Sequence, residues 1–115
     1  MYALKNKVQL IGNLGKAPEV RNTESGQKMA RFSMATNETY TDRTGRKEKQ
    51  TTWHNVVAWG KVAEIAEKFL TKGKEVAIEG KLVNRSYTDK DGIKRYVTEV
   101  QVNELLLIGG EKPAA

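Results

Sequence analysis

One stretch of the chain carries a helical period, and it stands between segments whose apolar residues alternate one for one. In GKVAEIAEKFLTKGK, residues 60–74, Val62, Ile65, Ala66, Phe69 and Leu70 recur at spacings of three and four, while Lys61, Glu64, Glu67 and Lys68 point away. The pattern predicts a single short amphipathic helix that closes at Gly73, a residue suited to the left-handed turn after a helix. The other patterned segments have period two and predict strands.

LKNKVQLIGNLG predicts a long first strand with Val8, Leu10 and Gly12 on one face. MARFSMATN predicts a second, with Met29, Arg31, Ser33, Ala35 and Asn37 on one side and Ala30, Phe32, Met34 and Thr36 on a plainly apolar other. Residues 38–50, ETYTDRTGRKEKQ, offer little to bury except Tyr40 and predict a long, mobile hairpin connection. WHNVVAWG, residues 53–60, supplies the third strand. After the helix, EVAIEGKLVNRSY predicts a fourth strand in which Gly80 marks a bulge or sharp bend. DKDG is a turn, and VTEVQVNELLL is the last strand. All-β with one short helix, in the order three strands, helix, two strands, is the arrangement of the five-stranded OB-fold barrel, with the helix between strands 3 and 4. Strands and loops on that barrel's exposed side bind oligonucleotides or oligosaccharides.

The length of 115 residues without an internal repeat is that of one domain, assigned to residues 1–108, and GGEKPAA at 109–115 reads as the start of a flexible tail. With no cysteine there is neither a disulfide framework nor a thiolate metal site, so packing has to hold the fold. No wholly apolar run exceeds four residues, the length of LLLI, far short of the ~20 residues a membrane span requires, and the N-terminus carries no apolar block of the signal-peptide kind. A cytoplasmic protein without membrane association is expected. A net charge of +6 favours a polyanionic partner, nucleic acid before acidic membrane.

Catalysis and metal binding find little support. There is no nucleophilic Cys, and His54 is the only histidine. Gly60-Lys61 lacks the earlier glycine and the following Ser or Thr of a phosphate loop, with Asn55 and Val62 at those places. DKDG lacks the spacing and terminal Glu of a calcium loop. His54 has a structural part instead, in the core or at a subunit contact. No enzyme, cofactor or metal is expected.

The aromatics point further. Phe32 and Phe69 fit core-facing positions. Trp53 and Trp59 are six apart, so they share a strand face about 20 Å apart, and His54 falls on the other. Tyr40 and Tyr87 lie in polar, basic surroundings without apolar neighbours in sequence. Bases stack on aromatic rings with ~1–3 kcal/mol each and little regard to base identity, and phosphates alternate with those bases along a strand. Tyr40, Trp53, Trp59 and Tyr87 as stacking platforms, with Lys61, Lys72, Lys74, Arg85, Lys94 and Arg95 for the phosphates, would meet both needs. Alternatives within and outside that class are an RNA-binding or primosome-like OB module, and a protein-interaction module whose aromatic face meets another protein.

The segments NKVQLIGNLGKAPEVR, MARFSMATNETY, TTWHNVVAWGKVAEIAEKFLTKG and EVAIEGKLVNRSYTDKDGIKRYVTEVQVNE together resemble the bacterial single-stranded DNA-binding protein family, in order over residues 5–104. The resemblance implies an OB-fold subunit of a homotetramer that wraps single-stranded DNA in the nucleoid and serves replication, recombination and repair without catalysis. The family's stacking positions match Tyr40, Trp53, Trp59 and Tyr87, two of them tyrosines where Trp is usual and Trp59 where Phe is usual. Lys61, Lys72 and Arg85 match basic contacts to the strand, whereas Asn55 and Val83 replace common basic residues. His54 matches a subunit-contact position. Family members usually continue into an acidic tip that recruits replication and repair proteins, and a chain stopping at EKPAA is not expected to recruit them by that route.

Overall fold

A computed structural model describes residues 4–108. The strands are β1 (Val8–Leu14), β2 (Glu19–Asn22), β3 (Lys28–Thr41), β4 (Lys47–Trp59), β5 (Glu75–Thr88) and β6 (Lys94–Leu107), and the helix α1 (Gly60–Phe69) lies between β4 and β5. They form one sheet in the order β1-β5-β6-β4-β3-β2. It closes on itself because the end of β1 also pairs with β3, Asn13 opposite Ala35 and Leu14 opposite Met34. All pairings are antiparallel except the short parallel contact of β4 with β6 at Val56/Val100 and Val57/Gln101. Five long strands make the barrel, as expected for an OB-fold.

The helix follows the fourth strand rather than the third because EVRN forms the additional strand β2 on the edge of β3. A four-residue strand with one apolar residue leaves no alternation to read in sequence. The larger correction is at residues 38–50. They are a continuous ladder, running without a register break from Met29/Trp59 to Thr41/Lys47, and only residues 42–46 turn. Backbone hydrogen bonds, not side-chain burial, hold this arm. The Asp42 carboxylate closes its tip by accepting from the backbone N–H of Thr44 (2.9 Å) and Arg46 (3.0 Å) and from the Thr44 hydroxyl (2.8 Å).

Alternation sends Ala30, Phe32 and Met34 of β3, Val56 and Ala58 of β4, Val76 and Ile78 of β5 and Val100 and Val102 of β6 into the barrel, with Leu14. Each of the larger of these contributes roughly 1.5–3 kcal/mol by leaving water. Ala63, Ala66 and Leu70 add the contribution of the helical region. Small alanines let the helix approach closely, so its bulkier residues lie at the margin: Phe69, expected in the core, is 52% exposed, and Ile65 is exposed as well. The helix also stops earlier than Gly73. Leu70 leaves it in an extended conformation, donates its N–H to the Ala66 carbonyl at 3.0 Å and drops into the core, and Gly73 belongs to the turn that follows.

Two glycines set how tightly the barrel closes. A Cβ on Gly12 would stand 2.1 Å from the Ala35 carbonyl oxygen, and one on Gly80 would stand 2.0 Å from that of Gln101. The register of β5 against β6 shifts between Glu79 and Gly80, the bulge expected there. Among the described residues no helix is long and apolar enough to cross a membrane. The tail at 109–115 lies outside the described residues.

Candidate nucleic-acid interface

Where one side of each ribbon turns inward, the other is left outward. On β3 and β4 the outward pairs are Met29/Trp59, Arg31/Val57, Ser33/Asn55 and Ala35/Trp53. On β5 and β6 they are Val83/Glu99, Arg85/Val97 and Tyr87/Arg95. These two outward sides meet in a groove of about 430 Å³ lined among others by Lys16, Arg31, Ser33, Asn55, Arg85 and Tyr87.

Glu99 lies at the floor of this groove and is only 4% exposed. Arg85 grips it bidentately, Nε donating to Oε1 at 3.2 Å and Nη2 to Oε2 at 3.0 Å, and Arg31 Nε donates to Oε2 at 3.3 Å. Burial pushes the Glu99 carboxyl up, but the Arg85 hydrogen bonds and the charges of Arg31 and Arg85 outweigh it and hold the group below its ordinary value. Arg85 also stands over the Tyr87 ring, its Cζ 5.5 Å from the centroid. A guanidinium has five N–H groups, so both arginines keep donors beyond those given to Glu99.

Trp53 is 59% exposed, and its six-membered ring rests against the chain just after β1, where a Cβ on Gly15 would come within 2.8 Å of Cζ3. Trp59 is half-buried at the end of β4. Trp53, Trp59, Arg85, Tyr87 and Arg95 are therefore brought to one side of the barrel. Arg95 donates to the Asp89 carboxylate at 2.8 Å, which ties it to the β5–β6 turn.

The remaining expected residues, Asn55 excepted, do not line the groove. Tyr40 is exposed near the tip of the β3–β4 arm, paired with Glu48, an odd number of residues from Ala35 and hence on the other side of the ribbon from Trp53. Lys94 alternates away from Arg95 and lies over Tyr96, 5.7 Å from its centroid. Lys61 is the second residue of the helix, two beyond Trp59, while Lys72 and Lys74 sit in the turn that hydrogen-bonds to Leu14. His54 is on the side opposite the tryptophans and shares a 3.0 Å hydrogen bond with Thr36. Asn55 lines the groove, and Val83 pairs with Glu99.

Sequence reasoning missed Lys16, Arg31 and Glu99 as parts of the groove. Arg31 was legible as an outward residue of its strand, because MARFS alternates. Nothing local announced that Glu99 would be buried under it from a strand 68 residues away.

Residues 5–108 match the single-strand binding protein family. Single-stranded DNA-binding protein 1 of Chlorobaculum tepidum is 46% identical over 107 residues, covering 92% of this chain and 66% of that protein. Single-stranded DNA-binding protein 1 of Xylella fastidiosa is 47% identical over 105 residues, covering 90% and 77%. The chain thus spans about two thirds to three quarters of the length of these relatives. A solved Plasmodium falciparum SSB complex with ssDNA superposes with a TM-score of 0.80 at 32% identity, covering 90% of this chain and 94% of that one. The barrel superposes on that solved relative, and the chain belongs to the single-strand binding protein family.

Proposed function

We propose that this protein binds and protects single-stranded DNA in the cytoplasm, at the nucleoid, during replication, recombination and repair, with little sequence preference and without catalysing a reaction. The observation that carries this reading is the groove side of the barrel, where Trp53, Trp59 and Tyr87 share one outward side with Arg31 and Arg85. Rings accept any base, and guanidiniums accept phosphates by paired N–H donors. Lys61, Lys72, Lys74 and Arg95 extend the positive field around that groove, Lys94 stands on the far side of its ribbon and adds only to the overall positive charge, and Tyr40 offers a further ring on the arm.

The test is tryptophan fluorescence during titration with oligo-dT at low and high salt, on the parent and on Trp53→Ala and Trp59→Ala. Saturable quenching that weakens with salt is expected, with binding lowered by ~1–3 kcal/mol in each variant. If both folded variants bind as the parent does, the rings are not the platforms. Competition with RNA of equal length decides which nucleic acid is preferred.

We also propose assembly as a homotetramer. Ile11, Ile65 and Leu106 are exposed and line an apolar groove between β1, the helix, β5 and β6, a surface that a second copy would cover. His54 is assigned to a subunit contact on the inner side of the arm. Sedimentation of the parent and of Leu106→Glu tests this: a tetramer that falls apart in the variant is expected, and a monomeric parent refutes it.

A further inference from the structure

A carboxylate at the floor of a groove that takes a polyanion is, on charge alone, an obstacle. Glu99 is nevertheless there, and among the described residues it is the one buried charged side chain. Its partners come from separate strands. Arg85 stands on the adjacent β5, and Arg31 reaches from β3 past the intervening β4, a span of about 10 Å at ordinary strand spacing.

We infer that Arg31 is a further contact to single-stranded DNA and that Glu99 is a positioning residue, holding Arg31 and Arg85 at fixed places on the groove floor with their unshared N–H groups free for phosphates. This rests on the single-stranded DNA reading of the groove. A phosphate cannot draw either guanidinium away from Glu99 without leaving a buried carboxylate short of a partner, which is costly. The arginines therefore receive the strand where they stand, and their ordering is met before it arrives. The side chains of Arg31 and Arg85 are 32% and 39% exposed, enough to meet a ligand while anchored beneath.

Charge and positioning predict opposite signs, which makes the test decisive. Binding of fluorescein-labelled oligo-dT is followed by anisotropy across a salt series for the parent, Glu99→Gln and Arg31→Leu, with thermal melts alongside. Glu99→Gln makes the groove more positive, so a mere counter-charge would give tighter binding and a steeper dependence of log K on log salt. Positioning gives the reverse: about tenfold weaker binding with a shallower slope. Arg31→Leu should lower the slope by about 0.7, the share of one phosphate on a single strand. Unchanged or tighter binding by Glu99→Gln, or an unchanged slope in Arg31→Leu, overturns the inference. Should Glu99→Gln fail to fold, the Arg31→Leu slope decides on its own. A parent that does not bind oligo-dT at all would instead refute the reading of the groove itself.

Discussion

Gly15 separates binding from stability more cleanly than any aromatic substitution. Its backbone is anchored, the N–H donating to the Ser33 carbonyl at 3.0 Å, and the conformation is one that alanine adopts without strain. An added Cβ would lie 2.8 Å from Trp53 Cζ3 and 3.1 Å from Cη2, so the ring has to retreat by about 0.6 Å to reach ordinary contact at 3.4 Å. The ring and not the loop gives way, because Trp53 is mostly in solvent on that strand. A displacement of this size forfeits about a quarter to a half of a contact's depth. Applied to the ~1–3 kcal/mol of one stacked base, that is ~0.3–1.5 kcal/mol, up to about tenfold in Kd. Stability should hold or rise by ~0.4–1 kcal/mol, since alanine restricts the unfolded chain. The assay is a double-mutant cycle of Gly15→Ala with Trp53→Ala, oligo-dT affinity by anisotropy and stability by urea titration. If Gly15→Ala costs the same affinity whether or not Trp53 is present, the reasoning fails.

Further expectations follow from the same geometry. Gly80→Ala drives a Cβ into the Gln101 backbone, which cannot yield as a side chain does, and should cost roughly 3 kcal/mol or more by urea titration; a variant as stable as the parent would mean the strands are not so close. Arg85→Ala should reduce the salt slope of oligo-dT binding while Lys94→Ala, on the other side of its ribbon, should leave it nearly unchanged; equal effects would contradict the register. Glu99 and Asp89 both titrate below their ordinary values when folded, Glu99 because its arginines outweigh burial, Asp89 chiefly through Arg95 and the Ile93 N–H. Their support is complete above the ordinary carboxylate range and is lost as pH falls through it toward the lower folded values, so thermal melts should decline below about pH 4. Glu99→Gln should flatten that decline, and an equally steep one would assign it to other carboxylates.

The barrel was legible wherever burial imposed a period. β1, the inner half of β3, β4, β5 and β6 alternate because one side of each faces the core, and the close approach at Gly80 leaves a glycine in sequence. The outer arm at residues 38–50 was not legible, since a ladder with both faces wet leaves no apolar trace and its backbone hydrogen bonds are the same for every residue. Phe69 misled because helical spacing tells which residues share a side, not how much of that side a small barrel end can cover. Tyr87 and Arg85 in the groove, and Trp53 and Trp59 on the same outward side, stood out by residue type and alternation. The triad of Arg31, Glu99 and Arg85 joins three strands, and a contact of that kind exists only after the sheet has closed.

The unbroken arm also constrains the path of a bound strand. Tyr40 lies five residues along β3 from Ala35, the partner of Trp53, which is about 17 Å and an odd step. A nucleic acid stacked on Trp53 meets Tyr40 only by passing around the edge of the ribbon. A stiff rod of duplex has no such route, whereas a chain with free torsions between its bases can wind about the arm. Discrimination between one strand and two would then come from the ligand's own bending stiffness, imposed by where the scaffold puts its rings.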